Sequence, residues 1–100
     1  MSDRILQRDE FAAVRNTRFR VPLEGAEAIE LELVEVSELV SARRQEMFSI
    51  LFRGPLHTLL PQRMYRMEHA RMGEIELFIV PIGKDDAGYS YEAVFNRVKK

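Results

Sequence analysis

The sequence predicts a mainly β fold: a six-stranded antiparallel small barrel or roll with one short N-terminal capping helix. The first observation behind this prediction is that apolar residues recur at every second position in several segments, the period of a strand with one buried face. The second is that Gly, Pro and Asp separate these segments, as turns require. The third is size: 100 residues, 46% hydrophobic and 31% charged, suit a single domain spanning residues 1–100.

Six stretches carry the period of two. They are residues 17–23, 28–36, 46–53, 63–70, 74–82 and 89–98. In AIELELVEV (28–36) glutamates alternate with apolar residues until the phase shifts, which predicts a β-bulge at Leu33-Val34. Pro22 has no N–H to donate and predicts an edge or a bulge in the first strand. The short connections predict antiparallel neighbours that close into a barrel or a roll.

The stretch RDEFAAVRN predicts a short helix over residues 8–15. Asp9 suits its first turn, where the helix dipole favours negative charge. Phe11 and Val14 lie three residues apart and therefore share one face, and Asn16 suits a left-handed stop. Because so short a helix is unstable alone, we expect Phe11 and Val14 to close one end of the sheet or barrel.

The composition excludes several classes of function. The chain has no cysteine, which excludes thiol catalysis, disulfides and Cys-based zinc sites. The net charge of −1 argues against nucleic-acid binding. No apolar run approaches the roughly 20 residues of a membrane span, and from the charged start we expect no secretory signal. We therefore expect a cytoplasmic protein without membrane association.

Charge is distributed unevenly along the chain. Residues 21–42 carry six glutamates and no base, whereas residues 43–73 carry six arginines and two glutamates. If these segments form neighbouring strands, the charges pair across the sheet, with each pair contributing roughly 0.2–1 kcal/mol. The alternative interpretation is that separate acidic and basic faces dock other subunits.

Three short motifs carry a resemblance to a known family. They are FRGP at 52–55, LPQ at 60–62 with Tyr65 just beyond, and YEAVFN at 91–96. From about Leu6 to Asn96 the chain resembles a family of short uncharacterised bacterial proteins catalogued only as a domain of unknown function. Some members are encoded near phage-tail-collar-like proteins, so the resemblance implies a structural or assembly role. It supplies no catalytic residues.

The pair Glu68-His69 is the first candidate for chemistry. Adjacent strand residues point to opposite faces, so the two side chains cannot converge on one proton or metal. We expect His69 on the core side, opposite or near Glu74 across a hairpin, in a structural contact. The alternatives are a metal cluster with His57, and a small-molecule-binding barrel or minor enzyme that uses His69 and Glu74.

The other candidates lack the spacing that their chemistry needs. Ser49 and Thr58 have no nucleophile-elbow motif around them. The loop GKDDAG (83–88) holds two aspartates but not the ligand spacing of a calcium loop, so it predicts a turn. No phosphate-binding glycine motif is present. We therefore predict no catalytic residue, no metal site and no cofactor.

These observations favour a non-enzymatic protein-interaction or structural accessory domain of a larger bacterial assembly, by resemblance a phage-tail-like one. Two strands look apolar on both faces, which leaves part of one face for a partner or for self-association. Arginine outnumbers lysine twelve to three, and arginine is enriched at interfaces. The predicted contact residues are Arg53, Arg63, Tyr65 and Arg66. A further alternative is single-stranded nucleic acid stacked on aromatic side chains beside these arginines.

Overall fold

The computed structural model describes residues 6–98, which form one helix and seven strands. In chain order these are α1 (Arg8–Ala12), β1 (Arg18–Leu23), β2 (Ala26–Val36), β3 (Val40–Ala42), β4 (Gln45–Gly54), β5 (Arg63–His69), β6 (Gly73–Asp85) and β7 (Gly88–Val98). The predicted mainly β class is confirmed, and the six predicted strands correspond to β1, β2, β4, β5, β6 and β7.

The six long strands form a closed antiparallel barrel. One meander runs β1-β2-β4 and a second runs β5-β6-β7, and the two are joined by β4 against β7 and by β1 against β5. The connection through residues 55–62 therefore leads from one meander to the other instead of forming a hairpin. The β1–β5 junction is the weakest because it consists of the single register pair Arg20–Glu68.

Both predicted irregularities occur. The register of β2 against β4 shifts between Leu33 and Glu35, which confirms the bulge at Leu33-Val34. The register of β1 against β2 shifts between Val21 and Leu23, so Pro22 lies at a bulge. A residue without an N–H is tolerated there because the bulge already interrupts the ladder.

The helix closes one end of the barrel, as predicted. Phe11 is fully buried, and its ring centroid lies 5.4 Å from that of Phe95 and 6.2 Å from that of Phe48. However, α1 ends at Ala12, so the predicted span of 8–15 is too long. The reason is tertiary: Asn16, with φ 69°, donates its N–H to Leu33 of β2, and the chain must leave the helix to reach it.

The barrel interior is filled by large side chains. The fully buried ones include Phe19, Leu31, Ile50, Phe52, Met67, Ile79 and Tyr91. Burying such a side chain is worth roughly 1.5–3 kcal/mol. The aromatic side chains of Phe48 and Tyr65 are also buried, which leaves their faces covered and not open to a stacked base.

One strand was not predicted. The short strand β3 has only three residues, all exposed, so it shows no alternation of burial that a sequence pattern could reveal. It forms through pairing with the start of β4, after a turn in which Arg43 has φ 53°.

Charged side chains pair across the outer face, but with partners other than those the charge distribution suggests. The acidic segment contributes Glu30, whose partner is Arg18 of β1 and not an arginine of residues 43–73. Such exposed pairs are each worth about 0–1 kcal/mol. The ion pairs between neighbouring strands are Arg18–Glu30 at 3.5 Å, Arg20–Glu68 at 2.7 Å and Arg66–Glu74 at 3.2 Å.

Candidate protein-contact site on the barrel wall

Two tyrosine hydroxyls hold the 55–62 connection against the barrel. Tyr91 is fully buried and its hydroxyl oxygen accepts a 3.0 Å hydrogen bond from the Leu60 N–H. Burial raises the pKa of Tyr91, so its hydroxyl stays protonated. The Tyr65 hydroxyl donates to the carbonyl of Pro61 at 2.7 Å. The connection is therefore a fixed part of the surface.

The same region explains the glycine of the FRGP motif. A Cβ atom on Gly54 would lie 2.7 Å from Cδ2 of Leu31 and 3.1 Å from the ring of Tyr91. Only glycine lets these two side chains pack there without a shift. Tyr91, the first residue of YEAVFN, therefore contacts both of the other motifs that carry the family resemblance, FRGP at Gly54 and LPQ at Leu60.

A groove lies beside this connection, where β1 and β5 diverge. Its volume is about 600 Å³, within the range of clefts that hold ligands. We call it the β1–β5 groove. Its walls include Pro22 and Leu23 of β1, Leu59 of the connection, and Arg63, Met64 and Arg66 of β5.

Three of the four predicted contact residues meet at this groove. The guanidinium carbon of Arg63 lies 5.6 Å from the centroid of the Tyr65 ring, a cation–π distance. Tyr65 itself is only 7% exposed, so it supports Arg63 and the connection from below. Arg66 is paired with Glu74, whereas Arg63 forms no ion pair with any residue between 6 and 98.

The fourth predicted contact residue lies elsewhere. Arg53 is on the outer face of β4, between Glu32 of β2 and Ser90 of β7. It lines a separate cleft of about 770 Å³, and its buried Nε has no hydrogen-bond partner in the described part of the chain. The four residues therefore do not form one site.

His69 has a structural environment. Its Nδ1 accepts hydrogen bonds from the N–H groups of Arg71 and Met72, at 3.0 and 3.1 Å. The proton of the neutral ring is then on Nε2, which lies 2.8 Å from Oγ1 of Thr17. The ring also packs against Phe19, with centroids 4.3 Å apart. Burial, and then the charge of Arg71, lower the pKa of His69 below 6.5.

The expectation that His69 lies opposite or near Glu74 is wrong. His69 pairs with Gly73, whereas Glu74 pairs with Glu68 on the outer face and binds Arg66. Because neighbouring positions of β6 alternate between the two faces, a shift of one residue separates the histidine from the carboxylate.

The described residues 6–98 contain no group of three or more His, Cys, Asp or Glu side chains that could hold a metal ion. The predicted turn within residues 83–88 is present. There Oδ1 of Asp85 accepts hydrogen bonds from the N–H groups of Ala87 and Gly88, an Asx-type turn.

The outer wall of the barrel also carries an apolar patch, none of whose residues is among the predicted contact residues. Phe78 of β6 and Met64 of β5 lie directly opposite each other and are 47% and 55% exposed. Val80 follows Phe78 on the same face, and Val94 of β7, 57% exposed, lies diagonally across the β6–β7 ladder. We call these four residues the outer patch. The feature of the sequence that indicates this patch is the apolar run LFIVPI (77–82), in which the residues of both strand faces are hydrophobic.

The fold and these sites define a small closed β-barrel with a helical plug, a fixed end connection and an apolar outer wall. The chain belongs to the family described as "Domain of unknown function (DUF6916)", which matches residues 6–95. Neither a curated protein nor a solved structure matches it. No helix within residues 6–98 is long and apolar enough to cross a membrane.

Proposed function

We propose that this chain is a non-enzymatic protein-interaction domain, an accessory subunit of a larger assembly in the bacterial cytoplasm. The family resemblance favours an assembly of the phage-tail kind. The observation that carries the proposal is the outer patch, because the water-facing side of an antiparallel strand is normally polar.

The outer patch has the chemistry of a contact surface. Phe78 and Met64 lie directly opposite each other on two paired strands, and Val80 and Val94 lie beside them on the same face, so the exposed parts of the four side chains form one apolar area. Contiguous exposed apolar surface rimmed by charge is typical of protein contact sites. The charged rim is present in the Arg66–Glu74 pair of the neighbouring positions. Covering the patch would gain roughly 25 cal/mol for each Å² of apolar area removed from water.

The environment of His69 supports a non-enzymatic role. Both ring nitrogens are engaged within the fold, one with two backbone N–H groups and the other with Thr17. A general base needs a ring nitrogen within reach of the substrate proton. His69 instead joins the β5–β6 turn to the segment that follows α1.

The test is a pull-down of the tagged full chain from its own host, with the retained proteins quantified by mass spectrometry. The wild type is expected to retain one partner in near-stoichiometric amount, or to self-associate when sedimentation of the purified chain is measured. The substitutions Phe78→Glu and Val94→Glu should abolish that association because each places a charge within the buried contact.

Leu56→Glu is the matched control, since Leu56 is 45% exposed and lies outside the outer patch. Circular dichroism checks that all three variants are folded. If the patch variants kept the same partner in the same amount as the control, the patch would not be the contact surface. A wild type that neither retains a protein nor self-associates would contradict the proposed function itself.

A further inference from the structure

One strand of the barrel has an open edge. Strand β5 pairs with β6 at every position from Arg63 to His69, but with β1 only through Glu68 and Arg20. Within residues 6–98, positions 63–66 of β5 therefore have no register partner in β1. A row of unpaired N–H and C=O groups is a template for an added strand.

The edge is open because of Pro22. If the antiparallel register of Arg20 with Glu68 continued, Pro22 would lie opposite Arg66. Proline has no N–H to donate, and the bulge at Val21–Leu23 turns β1 away from β5. The β1–β5 groove is the space that this divergence leaves, and it runs along the open edge.

The groove has apolar side chains on both walls, beside its charged ones, and one wall is fixed. Leu59 and Met64 are 52% and 55% exposed, and Leu23 lines the opposite wall. The connection that carries Leu59 is held by the two tyrosine hydrogen bonds to Leu60 and Pro61. A preformed site costs less entropy to occupy than one that must become ordered on binding.

The charged side chains of the groove indicate the charge that its occupant carries. Arg63 is exposed, lies over the Tyr65 ring and forms no ion pair within residues 6–98, whereas Arg66 is paired with Glu74. Glu24 also lines the groove but is not paired with Arg63, so the guanidinium of Arg63 remains available for a carboxylate of the occupant. An arginine in this position suits a carboxylate, which it can bind through two parallel hydrogen bonds.

We propose that the β1–β5 groove binds an extended segment of a partner protein as an added strand on β5. The segment places an Asp or Glu side chain on Arg63 and an apolar side chain against Leu59 and Met64. This inference rests on the proposed function, since it names the chemistry of the partner and the way it docks. Main-chain hydrogen bonds supply affinity in this mode, and the side chains supply specificity.

The experiment selects phage-displayed random ten-residue peptides on the immobilised full chain. We expect enrichment of peptides with an acidic residue next to an apolar one, and slower amide hydrogen exchange at positions 63–66 when a selected peptide is bound. In the variant Arg63→Glu, affinity for that peptide should fall by at least about tenfold. A new selection on this variant should enrich Lys or Arg instead.

Arg44→Glu is the matched control, because Arg44 is an exposed arginine in the β3–β4 turn, outside the groove. This variant should keep the acidic preference. The inference is overturned if no specific peptide is enriched, if Arg63→Glu leaves the preference unchanged, or if exchange slows only outside the groove.

The host pull-down distinguishes a failure of the groove inference from a failure of the proposed function. If Phe78→Glu loses the host partner while Arg63→Glu retains it fully, the groove inference is wrong and the proposed function stands. If both variants retain the partner as the Leu56→Glu control does, both assignments are wrong.

Discussion

Replacing His69 is the most informative test of how this barrel is held together. The substitution His69→Leu removes the acceptor of two backbone N–H groups, those of Arg71 and Met72, and the ring nitrogen that faces Thr17. It also removes the ring contact with Phe19. The substitution His69→Asn keeps a side-chain acceptor of similar reach but loses the ring.

The expected cost follows from these contacts. Leaving a buried polar group without its partner costs about 1–3 kcal/mol, and an aromatic pair contributes roughly 0.5–1.5 kcal/mol beyond its area. We therefore expect His69→Leu to lower the free energy of unfolding by on the order of 3 kcal/mol near neutral pH. His69→Asn should cost less, because its amide oxygen can still accept from the turn.

The pH dependence has a definite sign. In the folded chain the pKa of His69 lies below 6.5, the value of an unperturbed histidine, because the ring is buried and faces the charge of Arg71. As pH falls below 6.5 the unfolded chain therefore takes up a proton that the folded chain does not. The stabilisation is fully present above pH 6.5 and is lost as pH falls towards the folded pKa. In that window one proton can give a slope of at most about 1.4 kcal/mol per pH unit.

This effect is measured by urea unfolding, followed by circular dichroism, at about pH 8 and at about pH 5.5. The difference between the two free energies of unfolding is the stability that is lost as the unfolded chain takes up protons. The wild type should lose more stability than His69→Asn over that range. His57→Asn is the control, because His57 is exposed and its Nδ1 lies 2.8 Å from Oγ1 of the neighbouring Thr58, with no long-range partner among residues 6–98. It should change stability by less than about 0.5 kcal/mol. A wild type and a His69→Asn variant with parallel pH profiles would refute the argument that the fold keeps this ring neutral.

Three further substitutions and one glycine control test the structure of the barrel by the urea midpoint. Gly54→Ala should cost about 1–3 kcal/mol because the new methyl overlaps neighbouring side chains, whereas Gly83→Ala, with no atom within 4 Å of its Cβ, should stay within about 0.5 kcal/mol. Equal costs would contradict this packing argument. Tyr91→Phe removes the acceptor of the Leu60 N–H and should cost about 1–3 kcal/mol; a neutral result would show that another group accepts that bond. Phe11→Ala should cost about 3–5 kcal/mol, and a much smaller loss would mean that the helix does not plug the barrel.

Much of the fold could be predicted from the sequence because the period of two is a local property. A strand with one buried face must alternate, so the strands, their inward faces and the slip at Leu33-Val34 all follow from neighbouring residues. The plug of Phe11 and Val14 is predicted in the same way, from their spacing on one short helix. The short strand β3 was not predicted because all three of its residues are exposed, so it shows no alternation of buried and exposed positions.

The candidate site could be predicted only in part. Composition drew attention to Arg63 and Tyr65, and the structure places both at the β1–β5 groove. It could not separate Arg53 from them, because which strands neighbour one another depends on contacts between residues far apart in the chain. It also placed His69 near Glu74, where a register difference of one residue puts the two side chains on opposite faces of the barrel wall.

What the sequence by itself determined is local: the mainly β class, the positions of six strands and a helix, and the face that each strand buries. Only the tertiary structure decided how the strands are ordered and where the barrel is weak. The β1–β5 junction, with its single register pair beside Pro22, joins strands that are more than 40 residues apart. Such pairing depends on the entropy of closing the long loop between the strands and on the packing of the whole core. A short stretch of sequence determines neither of these. The groove proposed as a docking site exists because of that pairing.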